Sequence, residues 1–93
     1  VEVNGGKIMN PYKENIKGNI SERIFKSSVD NSELVWHRDK EDRIVEAIGN
    51  TNWLFQMDNQ LPIKLEGEIF IPKNTFHRII KGDGDLKVKV QKL

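Results

Sequence analysis

Leu86-Lys87-Val88-Lys89-Val90-Gln91 is the stretch from which the fold can be read. Leu86, Val88 and Val90 alternate with Lys87, Lys89 and Gln91. Successive side chains of a strand point to opposite faces, so this is a strand with one packed face and one wet face. Further runs rich in strand formers lie upstream at 33–37, 43–48, 53–57, 63–65, 68–71 and 75–80. Polar turn residues separate nearly all of them: Gly49-Asn50-Thr51-Asn52, Asp58-Asn59-Gln60, Pro72-Lys73-Asn74 and Gly82-Asp83-Gly84-Asp85. Short strands at regular spacing predict an all-β sandwich or barrel. After Glu33 no window carries a helical period of apolar residues long enough to compete. The chain before Glu33 is polar and weakly patterned, with turn signals at Gly5-Gly6, Asn10-Pro11 and Gly18, and Ser21-Glu22-Arg23-Ile24-Phe25 reads as a short strand. We therefore expect residues 1–32 to form an N-terminal arm or strand that packs on the barrel or on a partner, and residues 33–93 to form the barrel.

Composition bounds the chemistry. The 93 residues fit one domain, and a chain this short buries only about 60–65% of its unfolded surface. With no cysteine there is no disulfide, no thiolate zinc site and no thiol nucleophile. Fifteen basic residues against fourteen acidic ones leave a net charge of +1, too little for non-specific nucleic-acid binding. No apolar run approaches the roughly 18 residues that would span a bilayer. The opening Val1-Glu2-Val3-Asn4-Gly5-Gly6 has no charged segment followed by an apolar one, so it does not read as a signal peptide. A small cytoplasmic domain with neither nucleic-acid nor membrane partners is the expectation.

The two histidines, His37 and His77, carry the chemical interest. In Val35-Trp36-His37-Arg38-Asp39 strand alternation sends Val35, His37 and Asp39 to one face and Trp36 and Arg38 to the other. An imidazole and a carboxylate two residues apart can then converge on one ion. Lys40, Glu41 and Asp42 follow at once. His77 comes just after the proline-initiated turn of Ile71-Pro72-Lys73-Asn74-Thr75-Phe76-His77. If its strand lies beside the first, the set becomes two histidines with one or two carboxylates, which leaves open positions on a divalent metal. The plainer alternative is that each histidine is a hydrogen-bonded structural residue and that the acids form a solvated turn.

These two segments resemble the two motifs of the cupin superfamily, small jelly-roll β-barrels. The first motif has the form H-x-H, three or four residues, E, six residues, G. His37-Arg38-Asp39 stands at H-x-H with Asp39 in place of the second histidine, and counting back from Gly49 puts Asp42 at the glutamate position. The second motif, G, five residues, P-x-G-x-x-H, is matched in its latter half by Pro72 to His77, with Asn74 replacing glycine. Asparagine tolerates the left-handed backbone such a turn needs. The resemblance covers roughly 60% of the chain, and the run Trp36 to Arg43 is also similar to small uncharacterised cupins of marine phages and bacterioplankton.

The resemblance implies a single-domain, cupin-like double-stranded β-helix (jelly-roll) barrel with His37, Asp39, Asp42 and His77 as metal ligands. A carboxylate-rich set with one histidine missing prefers iron(II) or manganese(II). His37, Asp39 and His77 also reproduce the order of a two-histidine-one-carboxylate triad. Two functions follow as expectations. One is a metal-dependent isomerase, lyase or oxygenase acting on an unknown small molecule, with Glu41 or Glu46 as base. The other is a non-catalytic ligand-binding or structural cupin without metal. Arg43 is a candidate anchor for an anionic ligand, and Gln56 a ligand-binding candidate if it points inward. Trp53, Phe55 and Met57 are expected to pack in the core, and Arg78 to face outward. Small barrels of this kind often pair, so a homodimer is expected.

Overall fold

The computed structural model describes residues 11–93, so the turn signal at Gly5-Gly6 and the first part of the expected arm lie outside the described residues. Eight strands follow one another: β1 (Lys13–Lys17), β2 (Ile20–Phe25), β3 (Arg43–Ala47), β4 (Leu54–Met57), β5 (Ile63–Lys64), β6 (Glu68–Ile71), β7 (His77–Ile80) and β8 (Leu86–Lys92). All pairings are antiparallel. They build a five-stranded sheet in the order β1-β2-β8-β3-β6 and a three-stranded sheet in the order β5-β4-β7. This is the all-β architecture that the strand spacing predicts, and its antiparallel sheets agree with the jelly roll that the resemblance implies.

The alternation in β8 explains why it lies at the centre of the larger sheet. Leu86, Val88 and Val90 are buried, while Lys87 is exposed and Lys89 and Gln91 are half-exposed. The buried face meets Val45 of β3, Ile69 and Ile71 of β6 and Phe25 of β2. From the smaller sheet come Trp53, Phe55 and Leu65. The Phe25 and Trp53 rings, 6.1 Å apart between centroids, join the two sheets. Burying each such aliphatic side chain is worth about 1.5–3 kcal/mol. Trp53 is fully enclosed, and its indole N–H donates to the carbonyls of Asp83 and Gly84 at 3.2 and 3.1 Å. That contact fixes the turn before β8.

Two segments depart from the reading of the sequence. Residues 33–37 do not form a strand. Asp30 caps a 3-10 turn over Asn31–Glu33, its side chain accepting from the Ser32 N–H at 3.0 Å and its carbonyl from Glu33 at 2.9 Å. Local hydrogen bonds of this Asp-Asn-Ser type compete with strand pairing, and only His37 goes on to pair, as an isolated bridge to His77. β1 escaped notice because all five of its side chains are exposed, so it carries no alternation. It pairs with β2, which pairs with β8, so the segment before Glu33 extends the larger sheet. Among the described residues no helix is long and apolar enough to cross a membrane.

The turn leading into β7 behaves as its residues require. Thr75 N–H donates to the Pro72 carbonyl at 3.3 Å, and Asn74 takes φ 60°, the left-handed value that this turn needs at its third residue. Asn74→Gly should leave stability within a few tenths of a kcal/mol, whereas Asn74→Val should cost about 1–2 kcal/mol. Denaturant unfolding of the two variants checks this.

Candidate functional site

Four hydrogen bonds stitch the connection between β2 and β3 onto the turn and strand that carry His77. His37 and His77 exchange both of their backbone bonds, N–H to carbonyl, at 3.0 and 2.9 Å. Asn74 N–H donates to the Asp39 carbonyl at 2.7 Å, and Lys73 N–H to the Asp42 carboxylate at 2.8 Å. A directly opposed pair in an antiparallel bridge presents both side chains on one side, and the two imidazoles meet edge-on with centroids 4.3 Å apart. Asp39, two residues beyond His37, falls on the same side.

Both rings have the same proton placement. His37 Nδ1 lies 3.1 Å from the Val35 carbonyl, and His77 Nδ1 lies 2.8 Å from the Thr75 carbonyl. A carbonyl only accepts, so each ring holds a proton on Nδ1, which leaves Nε2 as the nitrogen available to a ligand. One nitrogen or oxygen from each of His37, Asp39 and His77 lies within 4.8 Å of the others. Asp39 Oδ2 is 3.4 Å from His77 Nε2, buried, and without a hydrogen-bond partner. Burial, above all, pushes the His77 pKa below the ordinary histidine value, ahead of the opposing hydrogen bond to Thr75. The ring is therefore neutral near pH 7, and two lone pairs face each other across that gap with no proton between them. Such an arrangement is unfavourable in a protein interior without a cation or a hydrogen-bond donor to satisfy the two atoms.

The triad stands at the mouth of a cavity of about 350 Å³ that runs between the sheets. Val45, Phe55, Ile79, Val88 and Val90 form its apolar wall, and Arg23 and Arg43 also line it. Arg43 Nη1 lies 3.4 Å from Asp39 Oδ1, Nη2 donates to Glu41 at 2.9 Å, and Nε is buried without an acceptor. The remaining residues singled out from sequence lie elsewhere. Asp42 stands outside the triad and accepts from Lys73. Glu41 does not line the cavity, and the Arg43 hydrogen bond holds its carboxyl below the usual carboxylate range. Glu46 points away from the Val45 face and pairs with Lys89 at 3.5 Å. Gln56 accepts from Arg78 at 2.9 Å on the face opposite Phe55, where Arg78 also covers the Trp36 ring at 4.7 Å. Sequence reasoning missed Arg23 and Glu33, both of which line the cavity. Parity with the buried Phe25, two residues on, was the available signal for Arg23.

Solved structures share this arrangement of strands. An RmlC-like cupin family protein with a double-stranded β-helix fold from Methanocaldococcus jannaschii superposes with TM-score 0.65 at 14% identity, over 98% of this chain and 85% of that one. A cupin domain from Bordetella pertussis Tohama I gives 0.56 at 14% identity, over 94% and 99%. A structure of the DMSP lyases RdDddP and RnDddQII gives 0.66 at 17% identity. It covers 78% of this chain but only 36% of that one, so the chain spans about a third of that lyase's length. The fold is the cupin double-stranded β-helix. No protein-family model matches the sequence, and no curated protein does either.

A neutral buried His77 has a consequence for stability. The unfolded chain takes up this proton near pH 6.5, while the folded protein does so only at lower pH. Stability should be fully present above about pH 6.5 and fall as pH drops from there to the lowered folded value, with a slope of at most about 1.4 kcal/mol per pH unit. Urea titrations of the metal-free protein between pH 8 and about pH 5 read this slope, and His77→Gln should remove it.

Proposed function

We propose that the protein is a small cupin that holds one divalent metal ion through His37, Asp39 and His77 and binds a small molecule in the adjoining cavity. The observation that carries this reading is the buried, unpartnered Asp39 oxygen facing the bare His77 nitrogen. A divalent cation satisfies both at once and draws in the third donor, His37, as well. Bonds of roughly 2.0–2.2 Å allow ligand atoms up to about 4.4 Å apart, so small ring rotations close the set. Two imidazoles and a carboxylate suit iron(II) or manganese(II). A bound ion of this kind would supply Lewis-acid or redox chemistry to a molecule in the cavity. Asp42, through Lys73, serves in this reading to hold the Asp39 loop rather than to touch the ion.

An isomerase, lyase or oxygenase type of reaction is compatible with such a site, and a DMSP lyase is among the proteins that share the fold. The competing reading, a binding cupin without turnover, has its own support. Apart from Asp39, the only carboxylate lining the cavity among the described residues is Glu33, exposed at the mouth, while Glu41 and Glu46 lie outside. Catalysis would therefore draw its base from Glu33 or from a metal-bound group. We also propose a homodimer, supported by the exposed Val35, Trp36 and Phe76 around the site. Light scattering should return twice the monomer mass of 10.8 kDa.

Metal binding is tested directly. Manganese(II) at 100 times its Kd should raise unfolding stability by about 2.7 kcal/mol, with one equivalent bound by elemental analysis. His77→Gln should abolish both effects. Asp39→Asn should also abolish them, yet leave the metal-free protein as stable or up to about 1 kcal/mol more stable, because its amide can donate to His77 Nε2. A wild-type protein that neither binds nor is stabilised by manganese, iron or nickel would overturn the reading.

A further inference from the structure

The inference rests on the metal reading above and concerns what enters the cavity beside the ion. Its two arginines differ in where donors are left over. Arg23 has its Nε engaged, donating to Glu14 at 3.1 Å and to Ser21 at 3.1 Å, and its guanidinium lies over the Tyr12 ring at 4.5 Å. Arg43 gives Nη2 to Glu41 at 2.9 Å and leaves its other donors unused. Its Nη1 stands 3.4 Å from Asp39 with no hydrogen bond, and its Nε–H has no acceptor, although its side chain is only 13% exposed. A buried guanidinium with unused donors is costly. Entry of a divalent cation makes the shortage worse, because Asp39 must then share its single charge between the ion and Arg43.

Charge arithmetic gives the occupant's sign. Glu14 balances Arg23 and Glu41 balances Arg43, at 3.1 and 2.9 Å. A divalent ion against Asp39 alone leaves a charge of about +1 in a low-dielectric pocket. Glu33 stands at the mouth, exposed to water, and does not cancel it at depth. Behind this centre the wall is aliphatic and aromatic: Val45, Val88, Val90, Ile79 and Phe55. We propose that the ligand is a small organic monocarboxylate, its carboxylate lying between the metal and the Arg43 Nη1 edge and its apolar body lying along that wall. A second carboxylate would exceed the single positive charge left over, and a cationic ligand would meet an uncompensated charge of the same sign.

The probes are hexanoate, its uncharged counterpart hexanamide, and acetate, titrated calorimetrically into manganese-loaded protein after metal binding has been measured on its own. Hexanoate should bind about 10- to 100-fold more tightly than hexanamide, and also more tightly than acetate, which lacks the apolar body. Arg43→Met should retain manganese and lose the preference for hexanoate over hexanamide. Val45→Phe fills the apolar wall without touching a charge, and should weaken hexanoate while leaving acetate unchanged. If manganese does not bind, the metal reading and this one fall together. If manganese binds and hexanoate and hexanamide bind equally, or Arg43→Met leaves the preference intact, this inference alone is overturned.

Discussion

The two main-chain hydrogen bonds between His37 and His77 are the constraint on which the site depends. They make the pair directly opposed, and an opposed pair puts both imidazoles on one side of the backbone. Everything polar at the mouth follows from that. The same geometry sends the flanking residues to the other side, where Arg78 lies over Trp36 and Arg38 over Phe76, at 4.7 and 5.2 Å. Each histidine is thus backed by an aromatic-arginine pair on the outer face. The bridge also extends the smaller sheet beyond β7, so the connection from β2 to β3 becomes part of the wall instead of a loop hanging over it.

Around this seam, polar satisfaction is uneven in an informative way. Asn74 and Lys73 give their backbone N–H groups, and Asp42 one carboxylate oxygen, to holding the Asp39 loop against the turn. Two neighbouring charged side chains, Asp39 and Arg43, each leave one buried polar atom unpartnered. In a core otherwise composed of Trp53, Phe55, Leu86 and Val88, this unmet hydrogen-bonding capacity gathered at one place is what the proposed ion and ligand would relieve. The fold supplies the rigidity and the site carries the cost.

Much of this is legible in the sequence where local pattern and tertiary role agree. The alternation in Leu86 to Gln91 gives β8 and its buried face, and Pro72 to Asn74 gives a turn whose left-handed residue is Asn74. The shared face of His37 and Asp39 also follows from alternation, although residues 33–37 form a turn and a single bridge instead of a strand. What resists reading depends on partners distant in sequence or on signals absent from it. β1 has no buried side chain to betray it. The inward aim of Arg23 is set by the parity of a strand with a weak pattern, whereas the outward aim of Gln56 follows from the alternation that sends Phe55 into the core. The tie from Asp42 to Lys73 joins residues 31 positions apart, which spacing cannot disclose.

The connection that carries His37 and Asp39 contributes almost nothing to the core: between residues 26 and 42 only Val29 is buried. Two of the three donors of the proposed site therefore belong to a segment held by Val29, the partly buried Leu34 and a handful of hydrogen bonds, the kind of region expected to open at a free energy below that of complete unfolding. At the proposed metal centre, residence time would then depend on how often this segment opens as well as on the strength of the individual bonds. Any molecule lodged behind the segment would lengthen that time by holding it down, so occupancy of the cavity and retention at its mouth become kinetically linked.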